Sequence, residues 1–168
     1  GTKQYLKTKP GIHLLATVKL NVPLFNGLFR ILYNSRFARI SQILLATGVA
    51  VLDTMHIAGE ATANVVVEES VQKASEEVAG GKTLSVALKD KDYIEPLVYQ
   101  MAAIGEQSGK MDEMLGKAAQ VFEDELDEKI ATISAMIEPL MMVMLAIVAG
   151  LLVGGVLFPI YSLVNSIG

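Results

Sequence analysis

The chain contains no cysteine and no tryptophan. Without cysteine there is no disulfide framework, no thiolate metal site and no thiol nucleophile. Aromatic residues make up only 6% of the 168 residues, proline occurs five times, and strand-favouring runs are rare. Alanine, leucine, methionine, glutamate and lysine dominate instead, so the composition predicts helices rather than strands. Charge is missing in two places. Residues 1–52 hold seven bases (Lys3, Lys7, Lys9, Lys19, Arg30, Arg36 and Arg39) and no acid, while residues 139–168 carry no charged side chain of either sign.

Inside that uncharged tail, residues 140–158 (LMMVMLAIVAGLLVGGVLF) are nineteen apolar or glycine residues in succession. A helix of that length is about 28 Å long, close to the ~30 Å of a hydrocarbon core. One charge at its centre would cost on the order of 3 kcal/mol, and none is present. Its place near the C-terminal end is wrong for a secretory signal. The tail is therefore expected to anchor the chain in a membrane. The basic leading part could bind nucleic acid or anionic lipid, and Arg30, Arg36 and Arg39 are equally well read as a solvated helix face. Lys3, Lys7 and Lys9 look more like a juxtamembrane cluster, which points to lipid as a partner and not to nucleic acid. From residue 53 onward the balance reverses, to eighteen acids and seven bases.

The apolar pattern predicts an all-α fold. Residues 1–22 form a juxtamembrane segment, partly helical over 12–20. Pro23 can open the first helix, where a missing N–H costs nothing. Leu24, Leu28, Ile31, Leu32, Phe37, Ile40, Ile43 and Leu44 recur at helical spacing up to a stop at Gly48. A second helix covers about 51–63. Asn64 caps a third over 65–79, ended by Gly80-Gly81. Thr83 caps a short fourth helix, and Lys89-Asp90-Lys91-Asp92 makes a polar loop. Glu95-Pro96 opens a fifth, which reaches Gln107 before a turn at Ser108-Gly109. The sixth begins at Lys110 or Met111, with Asp112 and Glu113 near its positive end. Its stripe of Met111, Leu115, Ala118, Phe122, Leu126, Ile130, Ile133 and Ile137 meets no breaker before Pro139. The expected architecture is an antiparallel six-helix bundle continuing into a C-terminal transmembrane helix. No strand–helix alternation suggests a doubly wound sheet. The domains follow as a bundle over 23–138, a span over 139–164 and a tail over 165–168.

Patterns that could carry chemistry fall short. Gly105 to Met111 (GEQSGKM) resembles a phosphate loop, but only three residues separate the glycines, Met111 stands where a magnesium-binding hydroxyl is needed, and the preceding element is helical. Asp53, His56 and Glu60 share a helix face, yet a metal pair in a bundle needs a second such helix, and His13 has no acid near it in sequence. The acidic run Glu123-Asp124-Glu125-Leu126-Asp127-Glu128 could attract a cation or a basic partner, but it lacks the glycine turn of a calcium loop. No nucleophile–base–orienter set can be assembled, so no enzyme activity, metal or cofactor is expected.

Several stretches carry a resemblance. They are Arg36-Phe37-Ala38-Arg39, Leu44-Leu45-Ala46-Thr47-Gly48-Val49, Gly80-Gly81-Lys82-Thr83-Leu84-Ser85, Pro96-Leu97-Val98-Tyr99-Gln100-Met101, the run from Gly105 to Leu115 (GEQSGKMDEML) and Ile137-Glu138-Pro139, in that order. From about Pro23 onward the chain resembles the inner-membrane platform family of type IV pilus and type II secretion machines (PilC/GspF-type). Ala50, and Ile94-Glu95 before Pro96, depart from the family pattern at helix starts. The resemblance implies the second cytoplasmic domain and last span of a larger protein, in the bacterial inner membrane. Its implied role is non-enzymatic: it couples a cytoplasmic hexameric ATPase to insertion or extraction of pilin or pseudopilin subunits. Other inner-membrane assembly proteins, membrane lipid and further copies of the chain would be partners. The competing class is a membrane-tethered helical adaptor unrelated to pili.

Candidate partner-facing residues are Arg36, Arg39, Gly105, Glu106, Ser108, Gly109, Asp112 and Glu113. Ala146, Gly150 and Gly154 recur every four residues and form a candidate packing face in the span. Lys129 precedes the span and no base follows Phe158, which favours a cytoplasmic start near Glu138. A Ser166→Cys variant should therefore react with membrane-impermeant thiol reagents added from the periplasmic side. Labelling that requires cell lysis would reverse the assignment.

Overall fold

The computed structural model describes residue 13 and residues 25–168. The expected helix over 12–20, the Lys3, Lys7 and Lys9 cluster and the helix opening at Pro23 and Leu24 lie outside the described residues, apart from His13. Among the described residues six helices follow one another from residue 25 onward: α1 (Asn26–Ala46), α2 (Val51–Ala61), α3 (Val65–Ala79), α4 (Leu84–Lys89), α5 (Pro96–Ser108) and α6 (Met111–Ile167). No strand occurs among the described residues. The chain divides into two compact units, the first ending at Asp127 and the second being Glu128–Gly168.

In the first unit, α1 packs on α2, α2 on α3, α3 on α4 and α4 on α5. Short connections leave consecutive helices little choice but to lie side by side. One core draws on all six helices. Phe37 and Ala38 come from α1, Met55 and Ala58 from α2, Val71 and Ala74 from α3, and Leu84, Ala87 and Leu88 from α4. Val98 and Ala102 come from α5, and Leu115, Ala118, Ala119 and Phe122 from the start of α6. The alanines let the helices approach closely, and each large apolar side chain buried in full contributes about 1.5–3 kcal/mol. The α6 stripe enters the core at Leu115, Ala118 and Phe122, with Met111 and Leu126 packed at its edge.

Helix α1 is covered on more sides than an apolar stripe allows. Tyr33, Asn34, Ser35 and Ser41 are buried along with Ile31, Phe37 and Ala38. Asn34 explains part of this. Its amide nitrogen donates to the carbonyls of Arg30 and Tyr93, both at 2.8 Å, and its oxygen accepts from the Glu95 N–H at 2.9 Å. One buried side chain thus ties the loop before α5 to α1. Arg30 reinforces the tie with a 2.8 Å contact to Glu95 and by lying over the Tyr93 ring. Tyr93 itself has a positive φ of 67°. A non-glycine residue there carries strain of order 1 kcal/mol or more, which these contacts offset.

Local signals set the helix ends. The Asn64 side chain accepts from the N–H groups of Val66 and Val67 at the start of α3, and Pro96 occupies the first turn of α5. Thr83 departs from expectation. It stands at the N-cap position of α4 in extended conformation, but its side chain makes no capping bond. The first-turn donor is instead taken by Glu106, from α5.

The connection from α5 to α6 is the tightest point. Gly109 has φ 71°, a left-handed conformation that suits glycine, and the Lys110 N–H reaches back to the Gly105 carbonyl at 3.1 Å. This is the six-to-one bond of a glycine-terminated helix. Gly105 is buried, and a Cβ placed on it would lie 2.6 Å from the Cα of Met111. Backbone cannot yield as a flexible side chain can. Gly105→Ala should lower stability by about 1–3 kcal/mol, as overpacked sites do. Urea unfolding of the detergent-solubilised chain measures the loss, and an unchanged midpoint would contradict the close approach.

Candidate functional site

The sequence signature from Gly105 to Leu115 closes on itself and on α4. Both oxygens of Glu106 meet Ser85: one accepts from the Ser85 N–H at 2.8 Å, the other from its hydroxyl at 2.6 Å. Ser85 lies in the first turn of α4, where N–H groups lack intrahelical acceptors and the helix dipole favours an anion. Glu106 therefore does from a neighbouring helix what Thr83 was expected to do locally. The pairing spans 21 residues of sequence, which is why no local pattern reveals it. Ser108 donates to the Ile104 carbonyl at 2.9 Å. With α5 helical through Ser108, the glycines do not form a phosphate cradle. Asp112 and Glu113 occupy the first turn of α6. Glu113 is exposed and lies 3.8 Å from Lys110 and 3.9 Å from Lys117, exposed pairs that add little to stability.

The two arginines of the α1 signature have different surroundings. Arg39 grips Glu123 of α6 with two parallel bonds, Nε to Oε1 at 2.8 Å and Nη2 to Oε2 at 2.7 Å, and Nη1 donates to Gln42. These donated bonds hold the Glu123 carboxyl below its ordinary pKa and raise that of Arg39. Arg36 is exposed, and its one hydrogen bond among the described residues is a long 3.5 Å contact to the Thr62 carbonyl at the end of α2. The structure does not bring Arg36 and Arg39 together as one patch. Arg39 belongs to a fork that joins α1 to α6, and most Arg36 donors have no partner among the described residues.

An open cleft of about 530 Å³ is lined by Ser70, Lys73, Glu76 and Glu77 of α3 and by Asp90, Lys91 and Asp92. Glu77 bridges Lys91 at 2.5 Å and Lys82 at 3.0 Å. The hydrogen bond from Lys91, then that from Lys82, lowers the Glu77 pKa. The acids around the cleft do not converge: no group of three or more His, Cys, Asp or Glu suited to a metal exists among the described residues. His56 lies 3.4 Å from Glu60 on the exposed face of α2. His13, which has no acid beside it in sequence, lies 3.1 Å from Glu69 of α3. In the acidic run, Glu123 is held by Arg39 and Asp124 accepts from Gln120 at 2.9 Å, while Glu125, Asp127 and Glu128 are exposed.

In the second unit the helix is long and apolar enough to cross a membrane, and its most apolar stretch is not buried by any of the described residues. Ile130, Ile133 and Ile137, the last members of the predicted stripe, are exposed. Gly150 and Gly154 have open space where a Cβ would stand, so with Ala146 they present a shallow face to whatever lies alongside.

This chain matches the family described as "Type II secretion system (T2SS), protein F" over residues 37–159. It is 34% identical, over 97% of its length, to a type IV pilus assembly protein PilC from Thermus thermophilus. It is 34% identical, over 89% of its length, to a type II secretion system protein F from Pseudomonas aeruginosa, and 32% identical over the same share to a PilC from that organism. The match covers 40%, 37% and 40% of those three proteins respectively, so the chain spans about two fifths of the length of these relatives.

Two outcomes follow from the geometry. Glu106→Ala strips α4 of its borrowed cap and should cost about 1–2 kcal/mol, the range of N-cap deletions, read by urea unfolding; Glu106→Gln should recover part of it. For the fork, the folded state binds a proton at Glu123 less readily than the unfolded chain does. Its contribution is complete above the unfolded carboxyl pKa and is lost as pH falls through the lower folded value. With both side chains about one-third exposed, the pair should couple by no more than about 1 kcal/mol. The stability difference between the wild type and Glu123→Gln should shrink below about pH 4. A difference that stays constant from pH 7 to pH 2.5 would refute the charge-assisted fork.

Proposed function

The chain belongs to the type II secretion system protein F family, and from that premise we propose that it is the C-terminal part of an inner-membrane platform in a pilus or type II secretion machine. One observation carries the reading. The family match runs unbroken from the core of the helical bundle to the end of the apolar run, so bundle and span belong to one functional unit. Its role is mechanical: it couples a cytoplasmic hexameric ATPase to insertion or extraction of pilin or pseudopilin subunits, without catalysis of its own. The bundle faces the cytoplasm, and the span sits in the inner membrane.

The fold narrows the surface available to the ATPase. Arg39, Gly105, Glu106 and Gly109 are occupied in shaping the bundle. Arg36, Asp112 and Glu113 remain as charged candidates for contact, with Ser108 at the adjoining turn. The face of Ala146, Gly150 and Gly154 serves packing on other spans of the same machine, further copies of the chain among them.

A charge-reversed full-length protein, Arg36→Glu with Glu113→Lys, should lose co-purification with the ATPase, and pilus assembly or secretion with it. Its melting temperature should stay within about 2 °C of the wild type, since exposed charges contribute little. Undiminished ATPase capture would remove these residues from the interface. Normal piliation and secretion after deletion of the whole protein would favour an adaptor unrelated to pili.

A further inference from the structure

Two chemically different stretches follow one another in the second unit. Residues 140–158 are apolar on every face, and at about 28 Å of helix they already fill a hydrocarbon core. Residues 160–167 (IYSLVNSI) are helical too, as the end of α6, but they are two-sided. At about 100° per residue, Ile160, Leu163, Val164 and Ile167 fall within an arc of about 100°, and Tyr161, Ser162, Asn165 and Ser166 share the opposite side. The four apolar side chains are between 51% and 84% exposed.

Between the two stretches the helix has a weak point. Pro159 lies inside α6. It has no N–H, so the carbonyl of Gly155 has no i+4 donor. Gly154 and Gly155 add no side chain there, and a Cβ on either would meet nothing within 4 Å. Proline one turn after a glycine pair is where a membrane helix bends at least cost. A straight continuation does not suit 160–167. Upright, it would carry four large apolar side chains beyond the core into water. Tilted until Ile167 re-entered a core of about 30 Å, the 140–167 helix, about 42 Å long, would need about 44°. That is past the ~0–40° of membrane helices, and it would submerge Asn165 as well.

We propose that residues 160–167 form an interfacial foot. They turn about Gly155 and Pro159 and lie along the lipid surface at which the span ends. Ile160, Leu163, Val164 and Ile167 enter the boundary between acyl chains and headgroups, and Tyr161, Ser162, Asn165 and Ser166 face water. The inference rests on 140–158 being the span. Lipid is the occupant because the span delivers this face to the headgroups without a second binding event. The segment carries no charge to select a protein partner, and an uncharged polar face with a tyrosine suits the interface. Such a foot resists axial displacement of the span, since withdrawing it would drag its polar face through the core.

The test uses the full-length protein, otherwise free of cysteine, in vesicles of phosphatidylethanolamine and phosphatidylglycerol. A nitroxide spin label is placed at one position at a time from 160 to 167. Collision with oxygen, which concentrates in the bilayer, is compared with collision with a water-soluble nickel chelate. Labels at 160, 163, 164 and 167 should lie about 5–10 Å below the headgroups, and those at 161, 162, 165 and 166 should favour nickel, so that access oscillates about every 3.6 residues. Nickel access rising steadily from 160 to 167 would mean a straight exit into water. Oxygen access at every position would mean a tilted span, and low access to both reagents at the apolar positions a protein cover. Each of these three results would overturn the foot. Gly155→Leu combined with Pro159→Ala should reduce the oscillation at least about twofold; an oscillation that survives intact would overturn the hinge. A label at Val148 is run alongside. Nickel access there would mean that 140–158 is no span, a failure of the membrane reading that is visible separately.

Discussion

The bundle depends on how closely two helix backbones approach at Gly105. A side chain at that position would collide with the Cα of Met111, so only glycine lets α6 start directly against α5. That start puts Leu115, Ala118 and Phe122 into the core. It leaves Glu106, one residue further along α5, aimed at the first turn of α4. The adjacent Gly109 turns the chain at a positive φ that other residues adopt only with strain. A motif that looks superficially like a phosphate loop is therefore a device for bringing three helices to one corner. Its glycines answer to backbone geometry, not to a ligand.

Charge is used in the same inward manner. The sequence separates bases before residue 53 from acids after it, which suggests a surface that seeks an external partner of opposite sign. Among the described residues the fold pairs two of the three arginines internally. Arg30 meets Glu95 and Arg39 meets Glu123, pairs separated by 65 and 84 residues. Arg36 alone among these three faces mostly outward. The half-exposed setting of the pairs keeps them modest in energy, but the two-pronged geometry of Arg39 on Glu123 fixes the orientation of α6 against α1 within the bundle.

Beyond Asp127 the physics changes. Among the described residues, the side chains of the nineteen-residue run are exposed, and they are apolar on every face. A helix apolar all round needs lipid or protein around it. Within the run, the glycines at 150 and 154 depart from uniformity, and such departures are where a membrane helix gains specificity for neighbours.

The elements themselves were legible from local rules. Asn64, Pro96, Gly48, Gly81 and Gly109 mark helix ends through dihedral preferences and short-range hydrogen bonds, which act over a few residues and so leave a trace in the sequence. The apolar run declares a span by length and composition alone. Long-range choices left no such trace. That Asn34 is buried to hold the Tyr93 loop, that Thr83 yields its capping role to Glu106, and that Arg39 is committed to Glu123 all depend on which helix faces meet. An isolated helix face reads the same whether it will be covered or solvated. Sequence by itself determined the helices, their order and the membrane-length tail; the tertiary structure decided which polar residues are occupied within the fold and which remain exposed.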